Sequence, residues 1–164
     1  HFNFPGGETE KKEAMLLPGR ENTRAIFGVE NDNITQGAEF IIDDMEWKKV
    51  NPHNIPQVQN YMRARLNFPV NNFSFFTGDD DTPPNVNFSV TNNTAYSYWD
   101  GRFLVEFYDG NSLVAVKDIN LEKFRTGEER QVNLTFLENI NITRMELNPK
   151  INAFTQEAYM EPPS

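Results

Sequence analysis

The chain has 164 residues, of which 38% are hydrophobic and 13% aromatic, so it can fill a packed core and is not a disordered tail. Its net charge of −9 repels phosphate groups, which argues against nucleic acid and against an anionic membrane surface as partners. It contains no cysteine, which excludes disulfides, thiolate metal sites and cysteine catalysis. Because no apolar run has the length of a membrane span, we expect any membrane anchor to lie outside this chain.

The first half of the chain contains short strand and turn signals, beginning with Phe2-Asn3-Phe4 before Pro5-Gly6. Residues 51–56 include two prolines, which favour extended backbone and predict a linker. The second half has stronger strand patterns, in which apolar and polar residues alternate or β-forming residues cluster. These segments are 61–68, 73–77, 86–91, 103–108, 113–119, 132–136 and 142–147. Strands separated by turns at this spacing predict an all-β, immunoglobulin-like sandwich.

Three short patterns of the first half return in the same order in the second half, which indicates an internal duplication. The aligned pairs are Gly6 with Gly110, Gly19 with Gly127 and Met45 with Met145, at offsets of 110 − 6 = 104, 127 − 19 = 108 and 145 − 45 = 100 residues. An offset of about 100 residues is the size of one immunoglobulin-like domain. The alternative is that such turn and strand patterns recur by chance in a β protein.

The duplication predicts a tandem repeat whose first copy is incomplete in this chain. The expected parts are the C-terminal half of a first immunoglobulin-like repeat at 1–50, a proline linker at 51–56, a complete second repeat at 57–155 and a C-terminal tail at 156–164. A half sandwich leaves its apolar face uncovered. We therefore expect upstream strands or a neighbouring chain to cover the apolar side chains Phe2, Phe4, Ile26 and Phe27.

Four segments of the chain resemble a pattern of bacterial surface proteins. They are VTNNTAYSYW at 90–99, FLVEFY at 103–108, GEER at 127–130 and MELNPKINAF at 145–154. They are similar to the FxLyD-like, immunoglobulin-like repeats of membrane-anchored proteins, especially those of candidate-phyla (Patescibacteria-type) bacteria. The resemblance covers about residues 8–160 and implies tandem domains outside the cytoplasm, at the cell surface or in the cell envelope. It implies no chemistry, because its motifs are strand and turn signals.

Catalytic candidates are few. The only two histidines are His1 and His53, and His53 lies in the proline linker, where a solvated role is expected. Carboxylate pairs such as Asp43-Asp44 and Glu128-Glu129 are common in the sequence, but no pattern places two carboxylates across a cleft. We therefore expect no catalytic residue, no cofactor and no dedicated metal site.

The acidic loop around Asp79, Asp80 and Asp81 is a weak calcium candidate. Adjacent side chains in a run of three cannot all point toward one ion. We expect a solvated loop that binds cations weakly.

The aromatic cluster of Tyr96, Tyr98 and Trp99 is the binding candidate. Exposed rings stack on sugar faces, so carbohydrate is one expected partner. The favoured interpretation is structural: the cluster closes one end of the sandwich, Trp99 lies in the core, and at most one ring stays free.

The sequence thus predicts a non-catalytic extracytoplasmic scaffold, spacer or protein-interaction module with a protein partner or a neighbouring copy. The alternatives are a carbohydrate-binding or adhesive module that uses the Tyr96–Trp99 end, and an accessory domain of a larger enzyme. The sequence upstream of His1 would discriminate best among these three interpretations.

Overall fold

The computed structural model describes residues 1–16, 23–26, 29, 37–51, 53–79 and 81–161. The chain divides into two compact units, unit 1 at His1–Val58 and unit 2 at Gln59–Ser164. The described secondary structure is mostly antiparallel strands in three small sheets, with one short α-helix, so the all-β prediction is confirmed. No helix in these described ranges is long and apolar enough to cross a membrane.

Unit 2 is a sandwich of two three-stranded antiparallel sheets. The first sheet has the order β4 (Val70–Phe76), β5 (Asn85–Thr91) and β8 (Glu129–Thr135). The second has the order β7 (Ser112–Phe124), β6 (Tyr98–Asp109) and β9 (Arg144–Pro149). The chain therefore passes from one sheet to the other between β5 and β6, between β7 and β8, and between β8 and β9.

The core of unit 2 lies between the central strands of the two sheets. Val86, Phe88 and Val90 alternate along β5 and are fully buried, as the sequence pattern predicts. The second sheet contributes Phe103, Val105 and Phe107 from β6 to the same buried cluster. Burying each of these side chains contributes roughly 1.5–3 kcal/mol, so this cluster is the main source of stability in unit 2.

The turn between β6 and β7 forms where the sequence predicts it. Gly110 has a φ of 57°, and Asp109 pairs with Ser112 across the two-residue loop. Gly110 tolerates this φ because it lacks a Cβ, which makes the hairpin compact.

One sequence prediction at the start of unit 2 is wrong. The expected strand at 61–68 is largely an α-helix, α1 (Val58–Arg65), which buries Met62. The segment between Tyr61 and Arg65 consists mainly of good helix formers, and this favours the helix over the strand. In the expected C-terminal tail, Gln156–Ala158 form a 3-10 helix, and Tyr159 pairs with Tyr98.

Unit 1 contains one three-stranded sheet in the order β2 (Gly7–Glu8), β1 (Phe2–Phe4) and β3 (Glu39–Phe40). The rings of Phe2 and Phe40 pack with their centroids 5.3 Å apart. The backbone N–H of Phe2 donates to the Thr9 hydroxyl at 2.8 Å. This small sheet positions the residues that follow β3.

The strand pairing of unit 1 matches that of the β7-β6-β9 sheet in unit 2. The corresponding pairs are Phe2–Phe40 with Phe107–Met145, Asn3–Glu39 with Tyr108–Arg144, and Asn3–Glu8 with Tyr108–Leu113. All of them share one offset, since 107 − 2 = 105 and 145 − 40 = 105. This register places Phe40, rather than Met45, at the position of Met145. Met45 follows the strand instead and is exposed.

Candidate functional site

The aromatic end of unit 2 is held together by Arg65 at the end of α1. Its guanidinium carbon lies 3.6 Å from the ring centroid of Tyr61 and 4.3 Å from that of Tyr96. It also donates to the Tyr96 hydroxyl at 2.6 Å. Cation–π contacts of this kind stabilise a packed cluster, so Tyr96 is a structural residue that lies partly buried.

Tyr98 is a core residue. It is fully buried, and its hydroxyl donates to the backbone carbonyl of Arg65. Burial raises its pKa above the ordinary value, because the phenolate would lose its hydration. The neighbouring Tyr159 also has a raised pKa, again chiefly through burial. These two tyrosines therefore anchor the C-terminal segment, with Tyr98 fully buried and Tyr159 partly buried.

Trp99 is the free ring of the cluster, at 46% exposure. The prediction that Trp99 lies in the core is wrong, and Tyr98 occupies that place. Neighbouring residues on a strand point to opposite faces, so only one of the two can enter the core. The backbone opposite Trp99 is irregular, since Lys123 on β7 has a φ of 51°. Tyr98 is fully buried and Tyr96 partly buried, so Trp99 is the most exposed ring of the three.

A shallow groove of about 220 Å³ runs beside Trp99. The aromatic, charged and amide side chains that line it are those of Trp99, Asp100, Arg102, Lys150, Asn152 and Glu157. Two acidic and two basic side chains balance each other here, and Arg102 approaches Asp100 at 3.8 Å. The groove therefore combines an aromatic face with both hydrogen-bond donors and acceptors and has no net charge.

In the acidic loop, the first carboxylate, that of Asp79, accepts hydrogen bonds from backbone N–H groups of the same loop. Asp79 Oδ1 accepts from the N–H groups of Asp81 at 3.1 Å and Thr82 at 2.8 Å. Gly78 closes the loop with a φ of 86°, and a Cβ there would meet Pro84 at 2.9 Å. Asp80 lies outside the described residues. Within the described part of the chain no group of three metal-ligating side chains is found, and weak calcium binding stays a prediction.

The histidines and the carboxylates have structural partners. His1 lies between Asp43 at 2.8 Å and Glu8 at 3.2 Å, and Lys11 reaches the same Asp43 at 3.0 Å. The hydrogen bond to Asp43 raises the pKa of Lys11. His53 is exposed, and its backbone N–H donates to the Asn51 side chain.

The acidic pair before β8 closes a turn. Glu128 binds Arg130 at 2.5 Å and the N–H of Arg125 at 2.8 Å, and the Arg130 hydrogen bond lowers its pKa most. Glu129 accepts from the Thr91 hydroxyl at 3.2 Å. This pair belongs to unit 2, whereas Asp43-Asp44 belongs to unit 1.

The segment of unit 1 that begins at the last residue of β3 exposes several large apolar side chains. We call it the apolar segment, residues 40–47, and its exposed members are Phe40 (56%), Ile42 (60%), Met45 (55%) and Trp47 (83%). The residues expected to need cover are better protected: Phe4 is buried, while Phe2 and Ile26 are partly buried. Phe27 lies outside the described residues. Among the described residues of unit 1, the exposed large apolar side chains are therefore Leu16 (65%) and the four members of the apolar segment.

Sequence reasoning missed two residues that organise the aromatic end. One is Arg65, because the segment around it was interpreted as a strand. The other is Asn92, whose buried amide donates to the carbonyls of Tyr96 at 2.8 Å and Phe124 at 3.1 Å and accepts from Thr94. A single sequence carries only a weak signal for such a role, since Asn92 is one of many asparagines in turns.

Comparisons with protein-family models, with curated proteins and with solved structures found no match for this chain.

Proposed function

We propose that this chain is a non-catalytic interaction and spacer module, built from tandem immunoglobulin-like repeats and displayed outside the cytoplasm. The observation that carries the proposal is the apolar segment, in which Phe40, Ile42, Met45 and Trp47 are exposed within eight residues. Large apolar side chains clustered on a surface mark contact sites, because water contact with them is unfavourable. Aromatic side chains such as Trp47 are also the residue types that dominate binding energy.

The immunoglobulin-like part of the proposal draws support from the topology of unit 2. Six strands form two sheets, and in each sheet a later strand returns beside an earlier one, β8 beside β5 and β9 beside β6, as in the Greek-key connections of immunoglobulin-like domains. The tandem part draws support from the shared offset of 105 residues between the pairings of the two units. The extracytoplasmic location rests on the sequence resemblance alone.

The test uses the chain as an immobilised bait and compares the proteins that each bait variant captures, by cross-linking, from the surface fraction of the source organism. The bait is the native chain, and the test variant is the double substitution Phe40→Ser with Trp47→Ser. The matched control is Leu137→Ser, since Leu137 is a fully exposed apolar side chain of unit 2. We expect one partner protein that is cross-linked to the native chain and to the control but not to the double variant. Identical partners for all three chains would contradict the proposal.

The second candidate is a carbohydrate-binding module, which the groove beside Trp99 favours. A sugar needs an aromatic face together with hydrogen-bond donors and acceptors, and a groove without net charge suits a neutral sugar. Affinity electrophoresis in gels that contain neutral polysaccharides tests this. The test variant is Trp99→Ala, and the control is Phe76→Ala, an exposed aromatic on β4. We expect retardation of the native chain and of the control only; no retardation of any chain would exclude this candidate.

A further inference from the structure

Unit 2 has four edge strands, because each of its two sheets has three strands. They are β4 and β8 in one sheet and β7 and β9 in the other. Each edge presents unpaired backbone N–H and C=O groups that can bind another strand. Proteins usually guard such edges with bulges, irregular backbone or charged side chains that point inward.

Three of the four edges carry such guards. β4 has an irregular register between Asn71 and Ser74, and Asn72 has a φ of 56°. On β7, Lys117 extends to 5.4 Å from the ring centroid of the buried Phe136, and Lys123 has its φ of 51°. On β8, the guanidinium of the partly buried Arg130 lies 6.0 Å from the ring centroid of the core residue Phe124.

β9 has no bulge, no irregular backbone and no charged side chain that points toward the core. Its charged residues, Arg144 and Glu146, alternate with the inward ones, and Arg144 packs on the ring of Tyr108 at 3.7 Å. The strand pairs with β6 in one continuous register, without positive φ among its described residues. Its inward side chains, Met145 and Leu147, are apolar and only partly buried against the core. Only Pro149, at the end of the strand, limits hydrogen bonding, because it lacks an N–H.

The backbone groups of Met145 and Leu147 face outward from the sheet. The N–H of Lys150 donates to the carbonyl of Arg102 at 2.8 Å, and these residues fall in the same register as the β6–β9 pairs. Hydrogen-bonded positions alternate along an antiparallel strand. Residues 146, 148 and 150 therefore bond to β6, and residues 145 and 147 present their N–H and C=O groups at the free edge.

The β9 edge also borders an apolar seam. Lys117 of β7 approaches Phe136, which directly follows β8, and Arg130 of β8 approaches Phe124 of β7. These contacts place β8 over β7, so the opposite edges, β4 and β9, face each other. Both contribute partly buried apolar side chains: Phe73 and Phe75 from β4, Met145 and Leu147 from β9.

We propose that β9 pairs in antiparallel fashion with β9 of a second copy of this chain, about a twofold axis at Met145. The charge pattern of β9 is the reason for choosing a second copy. Within one chain Arg144 already binds Glu146, its neighbour on the same face of β9. In this register Arg144 of each copy also lies opposite Glu146 of the other, so the two intrachain pairs meet as one cluster of alternating charges. Each Met145 exchanges backbone hydrogen bonds with its counterpart.

Neighbouring registers are less favourable. An axis at Glu146 places the two glutamates directly opposite each other, and like charges in that position repel. An axis at Leu147 places Met145 opposite Pro149, which cannot donate a hydrogen bond. The pairing about Met145 is short, so the association is weak and reversible.

This inference rests on the proposed function in one respect only, since it names a partner for an interaction module. Its surface lies on unit 2, whereas the proposed function is carried by the apolar segment of unit 1. The double substitution Phe40→Ser with Trp47→Ser is therefore expected to leave the β9 pairing unchanged. The two proposals can consequently fail independently.

The first experiment is disulfide trapping of Met145→Cys. The native chain has no cysteine, so this variant carries a single thiol at the proposed axis. Hydrogen-bonded residues across an antiparallel pair have Cα atoms about 5.5 Å apart, which suits a disulfide. The control is Leu113→Cys, an exposed position on the guarded edge β7. In a glutathione redox buffer we expect at least about tenfold more covalent dimer for Met145→Cys, whereas equal yields would overturn the proposal.

The second experiment reverses charges and measures self-association by sedimentation velocity. Glu146→Arg places Arg144 opposite an arginine in both pairs, so we expect at least about tenfold weaker association. Adding Arg144→Glu to that variant restores the opposite-charge pairs and should restore association. A native chain that is monomeric up to millimolar concentration, or a double variant that stays as weak as the single one, would overturn the proposal.

Discussion

Unit 1 and unit 2 contain the same pairing of three strands, yet among the described residues the buried hydrophobic cluster lies in unit 2. In unit 2 the β7-β6-β9 sheet packs against a second sheet, and Phe103 and Phe107 are buried between them. In unit 1 the β2-β1-β3 sheet is the one sheet that the described residues form, and Phe40 and Trp47 remain in water. The difference shows that a strand pattern becomes a stable domain only when a second layer covers its apolar face.

The largest expected effect that tests this comparison comes from emptying the core of unit 2. Phe88→Ala on β5 should lower the free energy of unfolding by about 3–5 kcal/mol, since Phe88 is fully buried among core side chains. The matched substitution in unit 1, Phe40→Ala, should cost less than about 1 kcal/mol, because that ring is more than half exposed. Urea unfolding followed by circular dichroism measures both. Equal losses would show that unit 1 has a core as well.

A second test removes the buried polar group that joins the turns of unit 2. Asn92→Ala should cost about 2–3 kcal/mol, because the carbonyls of Tyr96 and Phe124 lose their donor inside the protein. The control is Asn93→Ala, an exposed neighbour that should change stability by less than about 0.5 kcal/mol. The same unfolding assay applies. If the two variants unfolded alike, Asn92 would have no organising role.

The third prediction concerns Tyr108, at the outer face of the β7-β6-β9 sheet. Its hydroxyl donates to Glu106 at 2.5 Å, and this hydrogen bond is the main reason that its pKa is raised from 10.0 to about 12. Because the folded state holds the proton more tightly, this stabilisation is complete below pH 10 and is lost as the pH rises through about 12. Unit 1 has Asn3 at the corresponding position, so no such alkaline effect is expected there.

The measurement is an NMR titration of tyrosine Cζ carbons, with Tyr108 assigned from Tyr108→Phe. Glu106→Gln removes the carboxylate and should bring the pKa of Tyr108 back toward 10.0. A Tyr108 signal that titrates with an ordinary pKa in the native chain would contradict the hydrogen bond.

The smallest expected change in the free energy of unfolding comes from a substitution in the apolar segment of unit 1. Trp47→Ser should leave the free energy of unfolding within about 0.5 kcal/mol of the native value, because Trp47 is 83% exposed. Its effect should appear in binding instead, as described for the proposed function. A loss of stability above about 2 kcal/mol would mean that Trp47 is packed in solution, and the contrast between the units would then be smaller.

Much of the fold of unit 2 follows from local pattern. The alternation of Val86, Phe88 and Val90 predicts β5 and its core-facing side chains correctly. The opposite face is only partly solvated, since Ser89 is fully buried beside β4. The same reasoning fails for the segment at 61–68, where short apolar spacings fit a helix as well as a strand. It also fails at Trp99, because the order of two adjacent aromatic residues does not say which of them faces inward.

The sequence by itself determined the all-β class, the hairpin at Gly110 and the alternation of β5, because these depend on local backbone preferences and on the two-residue period of a strand. Tertiary structure alone decided that Tyr98 rather than Trp99 enters the core, that residues 156–161 pack back on the sandwich, and that β9 is the unguarded edge. Each of these outcomes depends on contacts between residues far apart in the chain, such as Tyr98 with Tyr159 and Arg65 with Tyr96. A local sequence pattern does not determine which side chain, distant in sequence, a residue contacts in the folded protein.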